Sequence, residues 1–135
     1  GHPLARATRL EAADFRGQAL VAVRREVGPA VFDRITTYFS RAGVAVPISQ
    51  SATSSISLIG LVAAGAGIGF VVESLRCIRR DDVRYVELSG DAPTLGYSLC
   101  HRPDLPDALR VSFERAVVEV GAAAAASARG TAVEP

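Results

Sequence analysis

The 135-residue chain contains no tryptophan, no methionine and only two cysteines. It has no run of eighteen apolar residues and no secretory signal pattern at its N-terminus, so we expect one soluble domain or part of one. Neither sign of charge is in excess, with 15 basic against 14 acidic residues. Arginines cluster no further than the pairs Arg24-Arg25 and Arg79-Arg80. The sequence therefore does not predict a nucleic-acid-binding surface.

The two cysteines, Cys77 and Cys100, have neither a CxxC spacing nor enough nearby histidines to complete a ligand set. A zinc site or redox motif is therefore not predicted. We expect both residues to be buried free thiols in a reducing, cytoplasmic compartment. Cys100 and His101 do not predict a nucleophile and its base, because adjacent residues of a strand point to opposite faces. The sequence thus predicts no metal and no cofactor.

Strand-like and helix-like segments alternate along the chain. Ala19–Val23 is an unbroken apolar run, typical of a strand buried on both faces. After Gly28-Pro29, apolar residues recur at helical spacing from Val31 to Ala42, and Gly43 suits the helix end. This alternation predicts a parallel sheet with right-handed crossovers. The other predicted strands are Ala45–Ser49, Ile68–Val72, Val83–Leu88 and Leu95–His101, and the other helices are Leu10–Phe15, Glu73–Ile78 and a long one after Pro106.

The segment Ile48–Ser74 is the most informative part of the chain. It contains a strand, a hydroxyl-rich turn, an apolar helix, a glycine-rich exit and a second strand. The helix has no polar stripe, so we expect it to be covered on nearly every side. Three glycines, Gly65, Gly67 and Gly69, follow the helix and precede a strand. A dinucleotide-binding loop needs the opposite order, so these glycines do not predict one.

Two predicted helix starts, Val27–Pro29 and Ser51–Ser55, follow consecutive strands. Ligands of open parallel sheets bind at the carboxyl edge of the strands. Free backbone N–H groups and the helix dipole favour an anion there, and hydroxyl groups add directional hydrogen bonds. The alternatives are a helix cap for any one hydroxyl and a solvated surface position for the arginine. The candidate ligand-contacting residues are Arg24, Gly28, Pro29, Ser51, Thr53, Ser54 and Ser55.

The same residues do not predict catalysis. Ser54 and Ser55 lack the surroundings of a nucleophile elbow. The carboxylates at Asp14, Glu26, Asp33 and Glu73 are scattered, and no pair has a spacing that places both on one site. We therefore expect a binding protein, with a small α/β enzyme as an alternative.

Several segments together resemble the effector-binding domain of LysR-type transcriptional regulators. The resemblance spans residues 2–120 and is most specific in LVAAGAGI. It implies a regulator whose winged helix-turn-helix lies outside this chain and whose effector domain has two lobes, like a periplasmic binding protein. The segments are HPLA from His2, GPAVFDRI from Gly28, RAGVAVPISQSA from Arg41, LVAAGAGIGFVVES from Leu61 and HRPD from His101.

The resemblance implies an α/β fold, a Rossmann-type lobe with a mainly parallel sheet flanked by helices, plus a C-terminal helix that belongs to the other lobe. Residues 1–18 would be an inter-lobe segment with a short helix, 19–89 the second lobe, 90–121 the return strand and C-terminal helix, and 122–135 a disordered tail. It further implies a small-molecule effector, DNA contact only through the absent domain, no membrane and a homo-oligomer. Binding of the effector between the lobes would switch the state of the DNA-bound regulator.

Two positions depart from the family pattern. Family members often have Gln-Glu-Ala where this chain has Gln50-Ser51-Ala52, and a proline in place of Val72. Without the carboxylate the ligand-side turn is less acidic, which is consistent with an anionic effector. The chain most resembles the aromatic-catabolism branch of the family, which implies an aromatic or dicarboxylic acid as the effector. The alternative is a lobe of a solute-binding protein that serves a transporter and would need an export signal.

Overall fold

The structure, a computed structural model, describes residues 2–96 and 98–129, and only the backbone of 123–129. The chain divides between Leu95 and Gly96 into two compact units. None of the helices in the described part of the chain has the length and apolar content needed to cross a membrane.

The first unit is an α/β unit with short strands. Its strands are β1 (Arg9–Leu10), β2 (Leu20–Val23), β3 (Ile48–Ala52), β4 (Ile68–Gly69) and β5 (Glu87–Leu88). Its α-helices are α1 (Pro29–Arg41) and α2 (Ser55–Ala63), and single 3₁₀ turns lie at Pro3–Arg6, Ala12–Phe15 and Glu73–Cys77.

The sheet topology confirms the predicted α/β fold with a parallel sheet. One sheet has the order β3-β2-β4, and β2 is parallel to both of its neighbours. A second, two-stranded sheet joins β1 and β5, also in parallel. Parallel neighbours need a crossover connection, which α1 and α2 supply between β2, β3 and β4.

The central strand β2 separates two hydrophobic layers. Leu20 and Ala22 contribute to a cluster with Tyr38 and Phe39 of α1. Val21, on the opposite face, packs in a second cluster with Ala52 and with Leu58 of α2. Successive side chains of a strand point to opposite faces, so the apolar run of β2 fills both layers. The predicted burial of this strand on both faces is confirmed.

An aromatic cluster forms the centre of the α1 layer. Phe15, only 2% exposed, comes from the 3₁₀ turn that precedes β2. Its ring centroid lies 5.4 Å from that of Phe39, nearly edge-on, and 5.2 Å from that of Phe70. Phe15 therefore packs the N-terminal segment against α1 and against the chain that follows β4.

Strand β3 contains a bulge at Ser49. Leu20 pairs with Ile48, whereas the next residue, Val21, pairs with Gln50. The intervening Ser49 is thus an extra residue in the ladder. Its hydroxyl group donates to the backbone carbonyl groups of Leu20 and Ala66, each at 3.3 Å, and so holds the bulge against β2.

The strands differ in extent from the sequence prediction. Strand β3 begins at Ile48 and not at Ala45, because Pro47 has no N–H to donate to the ladder and contributes only its carbonyl group to Leu20. Strands β4 and β5 are two residues each, shorter than predicted. The predicted strand Leu95–His101 is wrong for residues 95, 96 and 98–101, which form no strand, and Tyr97 lies outside the described residues.

Helix α2 is not covered on nearly every side, so that prediction is wrong. Leu58 and Ile59 are buried, but Ile56 is 60% exposed and Gly60 is also exposed. The sheet covers only one face of this helix, and an apolar sequence alone does not show what covers the other.

The second unit contains α3 (Asp107–Arg129), which confirms the long helix predicted after Pro106. The helix continues beyond Gly121 through the alanine run, where we expected disorder, and alanine has the highest helix propensity. Residues 130–135 of the predicted tail lie outside the described residues. The helix exposes several large apolar side chains: Leu109, Val111, Phe113, Val117, Val118 and Val120.

Cys77 and Cys100 are free thiols, as expected, but both are exposed, so the prediction that they are buried is wrong. Cys77 ends the 3₁₀ turn Glu73–Cys77, which has no buried residue. Cys100 lies in the segment that was predicted as a strand and is not one.

Candidate functional site

The carboxyl ends of β2 and β3 lie side by side. The register pairs Val23 with Ala52, and the backbone N–H of Arg24 donates to the carbonyl oxygen of Ala52 at 3.0 Å. Arg24 and Thr53 therefore follow a matched pair of residues and begin two adjacent loops. Each loop leads directly into a helix, so both predicted helix starts lie at one edge of the sheet, as expected.

Helix α1 begins with unsatisfied backbone donors. Gly28 is its N-cap and Pro29 its first residue, and no side chain caps this end. The N–H of Gly28 donates to the carbonyl oxygen of Arg24 at 3.2 Å, and the N–H of Phe32 donates to Gly28 at 3.0 Å. The N–H groups of Ala30 and Val31 therefore remain available at the helix end.

Helix α2 begins with a serine that is fully used as a cap. The hydroxyl group of Ser54 accepts from the backbone N–H of Ser57 at 3.1 Å. In return, the Ser57 hydroxyl accepts from the N–H of Ser54 at 3.0 Å. This reciprocal capping box gives Ser54 the structural role that was the alternative to ligand contact. The N–H groups of Ser55 and Ile56 remain available.

We expect Ser54→Ala to lower the free energy of unfolding by about 1 kcal/mol, the usual cost of a lost N-cap. Thr53→Ala is the matched control, because the neighbouring Thr53 hydroxyl makes no hydrogen bond to another described residue. Thermal denaturation of both variants measures the difference. Equal melting temperatures would contradict the capping role of Ser54.

The other three hydroxyl groups belong to residues at the same edge. Ser51 and Thr53 are exposed and Ser55 is half-buried. Within residues 2–96 and 98–129, none of these three side chains has a hydrogen-bond partner. They are therefore free to bind a ligand, together with the four N–H groups of the two helix starts.

The two adjacent arginines have different partners. Arg25 donates two hydrogen bonds to Asp33 in the first turns of α1, at 2.7 and 2.9 Å. These hydrogen bonds hold the pKa of Asp33 below its ordinary value, and the same contact raises the pKa of Arg25. Arg24 is exposed and has no carboxylate within ion-pair distance in the described part of the chain. The sequence did not predict the contact between Arg25 and Asp33, which fixes the loop of Arg24 onto α1.

Two large apolar side chains also lie at this edge, and the sequence prediction did not include them. Val27 precedes the start of α1 and is 52% exposed, and Ile56 lies in the first turn of α2. The edge thus combines hydroxyl groups, N–H groups, one uncommitted guanidinium and exposed apolar surface. Such a surface can bind an anionic group and an apolar group of one small molecule. Among the described residues, no three side chains of His, Cys, Asp or Glu are grouped to hold a metal ion.

A parallel α/β lobe that presents polar groups along the carboxyl edge of its sheet is typical of ligand-binding proteins. Residues 1–119 match the family described as the LysR substrate binding domain. The chain belongs to this family, which confirms the resemblance seen in its sequence.

The similar proteins are transcriptional regulators. The chain is 37% identical over 114 residues to the HTH-type transcriptional regulator IlvR of Caulobacter vibrioides, which covers 84% of this chain and 38% of that protein. It is 33% identical over 87 residues to CatR of Pseudomonas putida, covering 64% and 30% of the two chains. For TfdS of Cupriavidus pinatubonensis the identity is 31% over 106 residues, covering 78% and 35%. The chain thus spans about a third of the length of these relatives.

Proposed function

We propose that this chain is the effector-sensing part of a LysR-type transcriptional regulator and that it binds a small organic carboxylate at the carboxyl edge of its sheet. Residues 19–89 form the second of two lobes, and the effector lies between them. Binding favours one lobe orientation, and this shift in population changes the state of the DNA-bound regulator. DNA contact is made by a helix-turn-helix outside this chain, in a cytoplasmic homo-oligomer.

The observation that carries the proposal is the convergence of two helix starts at adjacent strand ends. Free N–H groups at both helix ends and the positive ends of the two helix dipoles favour a carboxylate. Ser51, Thr53 and Ser55 add unengaged hydroxyl groups. Arg24 supplies a guanidinium that can pair with the carboxylate. Gly28 and Pro29 keep the end of α1 free of a capping side chain.

The apolar side chains at the edge support an effector with an apolar group as well as a carboxylate. Val27, just before α1, and Ile56, in the first turn of α2, expose aliphatic surface at the two helix starts. An aromatic acid would satisfy both surfaces. A short polar acid would leave the aliphatic surface in contact with water, which is less favourable.

Calorimetric titration of the chain with a panel of aromatic and aliphatic carboxylates at low salt tests the proposal. We expect saturable heat with at least one acid, and a Kd raised about tenfold in the double variant Ser51→Ala/Thr53→Ala, because each lost hydrogen bond contributes about 0.5–1.5 kcal/mol. Both side chains are exposed and unbonded, so the melting temperature should not change.

Ser40→Ala is the matched control for this titration, because Ser40 is also exposed but lies near the opposite end of α1. It should bind the acid as tightly as the unchanged chain. An unaltered Kd in the double variant would remove both hydroxyl groups from the site. The absence of saturable heat with every acid of the panel would contradict effector binding by this chain.

A further inference from the structure

A concave surface lies along the flank of α1. This groove, which we name the α1 groove, has a volume of about 730 Å³ and runs between α1, the turn at Glu11-Ala12 and the segment 89–94. Its size is within the range of small-molecule sites. None of the seven candidate effector residues lines it.

The α1 side of the groove is a single helical face. Arg34, Thr37, Tyr38 and Arg41 line it at spacings of three and four residues, which places them one above another. The face is polar along its length. Tyr38 lies at its inner border, because its ring also packs with Phe39 in the hydrophobic core.

Tyr38 gives the groove a polar atom without a partner. The residue is 9% exposed, and its buried hydroxyl group has no hydrogen bond to any of the residues that the structure describes. Burial raises the pKa of Tyr38, and the charges of Glu11 and Asp14 raise it further. The backbone of Ala12 lowers this pKa by a smaller amount but does not meet hydrogen-bond geometry. A buried hydroxyl group left unpaired is costly, so a partner at this position would be stabilising.

The charges around the groove are of both signs. Arg34 is exposed and has no carboxylate within ion-pair distance in the described ranges. Arg41 makes only a long contact with Asp91, at 3.6 Å. Near the Tyr38 hydroxyl, by contrast, the charges are the carboxylates of Glu11 and Asp14. One part of the groove therefore favours an anion and another favours a cation.

We propose that the α1 groove binds a small zwitterion. Its carboxylate contacts Arg34, and its ammonium group donates to the Tyr38 hydroxyl beside the carboxylate of Glu11. The Tyr38 hydroxyl group is buried, so this contact requires the side chains around it to move apart. Arg34 and Tyr38 are one helical turn apart, about 6 Å along the axis of α1, so a small ligand with its two charges at opposite ends can contact both. The side chains that bind the zwitterion are not among the candidate residues of the carboxylate site at the sheet edge.

The probe is 4-aminobutanoate, whose three methylene groups separate its charges by about one helical turn. Titration of the ¹⁵N-labelled chain should give saturable amide shifts in residues 33–42 and 89–94, which include the lining of the groove beyond the first turn of α1. Butanoate and butylammonium, which each carry one of the two charges, should bind at least about tenfold more weakly. Tyr38→Phe and Arg34→Gln should each raise the Kd of the probe about tenfold.

Arg16→Gln is the matched control, because Arg16 is exposed and lies outside the groove. It should leave the Kd of the probe unchanged. Tyr38→Phe keeps the aromatic ring, and its melting temperature should equal or exceed that of the unchanged chain, since an unpaired hydroxyl group is removed.

Three results would overturn the proposal. The first is the absence of saturable shifts with 4-aminobutanoate, and the second is an unchanged Kd in Tyr38→Phe. The third is an equal loss of affinity in Arg16→Gln, which would reduce the effect to general charge attraction.

Discussion

Replacing Phe15 with alanine should lower the free energy of unfolding by about 3–5 kcal/mol, the largest loss that we expect from one truncation in this chain. Phe15 is 2% exposed and has the rings of Phe39 and Phe70 within 5.4 Å of its own. Its removal would leave a cavity where the N-terminal segment, α1 and the chain after β4 meet. The rigid rings around it cannot close such a space fully, so the cost includes both lost burial and the cavity.

Urea denaturation followed by circular dichroism measures this loss. Phe113→Ala is the control for the truncation itself, because Phe113 is 56% exposed on α3. That variant should change the free energy of unfolding by about 0.5 kcal/mol or less. A similar small change in Phe15→Ala would contradict the position of Phe15 at the centre of the aromatic cluster.

Gly67→Ala should be the second severe substitution, with a loss of at least about 2 kcal/mol in the free energy of unfolding. Gly67 has a φ angle of +141°, which side chains rarely adopt. A Cβ atom there would overlap the carbonyl group of Ala19. That carbonyl group cannot move away easily, because it accepts a hydrogen bond from the N–H of Ile68 at 2.9 Å. This hydrogen bond joins the start of β4 to the residue that precedes β2. The strain and the overlap therefore add.

Two neighbouring glycines separate these causes. Gly65 has a φ angle of +82° but open space around it, so Gly65→Ala should cost only the backbone strain, about 1–3 kcal/mol. Gly60 lies within α2 in open space, and Gly60→Ala should raise the stability by about 0.5–1 kcal/mol. Equal stability of Gly67→Ala and Gly65→Ala would contradict the overlap with Ala19.

The types of the main elements could be predicted because their signals are local. The apolar run of β2 and the helical spacing in α1 are visible within a few residues. Strand lengths could not be predicted, because a ladder ends where its partner ends. Ile68–Val72 has strand composition throughout, yet only Ile68 and Gly69 find partners in β2. The prediction that α2 is covered on nearly every side was wrong for a related reason. Burial of a helix depends on which distant parts of the chain pack against it.

The place of the candidate site was predictable, but the roles of its side chains were not. The order of strands and helices brings Thr53 and Gly28 to one edge, as expected for a parallel sheet. Any of the four hydroxyl residues there could cap α2. The backbone of Ser54 is extended and that of Ser55 is helical, which makes Ser54 the cap. Likewise, only the position of Asp33 on α1 distinguishes Arg25 from Arg24.

The bulge at Ser49 determines which face of the sheet each later residue of β3 occupies. Because of this one extra residue, Ala52 shares a face with Val23 and enters the α2 layer, while Ser51 shares a face with Ala22. In an unbulged strand of the same sequence, the alternation would be reversed after Ile48, with Ala52 on the α1 side. A one-residue change in length at Ser49 would therefore exchange an apolar and a hydroxyl side chain between the two layers. An insertion or deletion at Ser49 would thus alter the lining of the edge without any substitution at the edge itself.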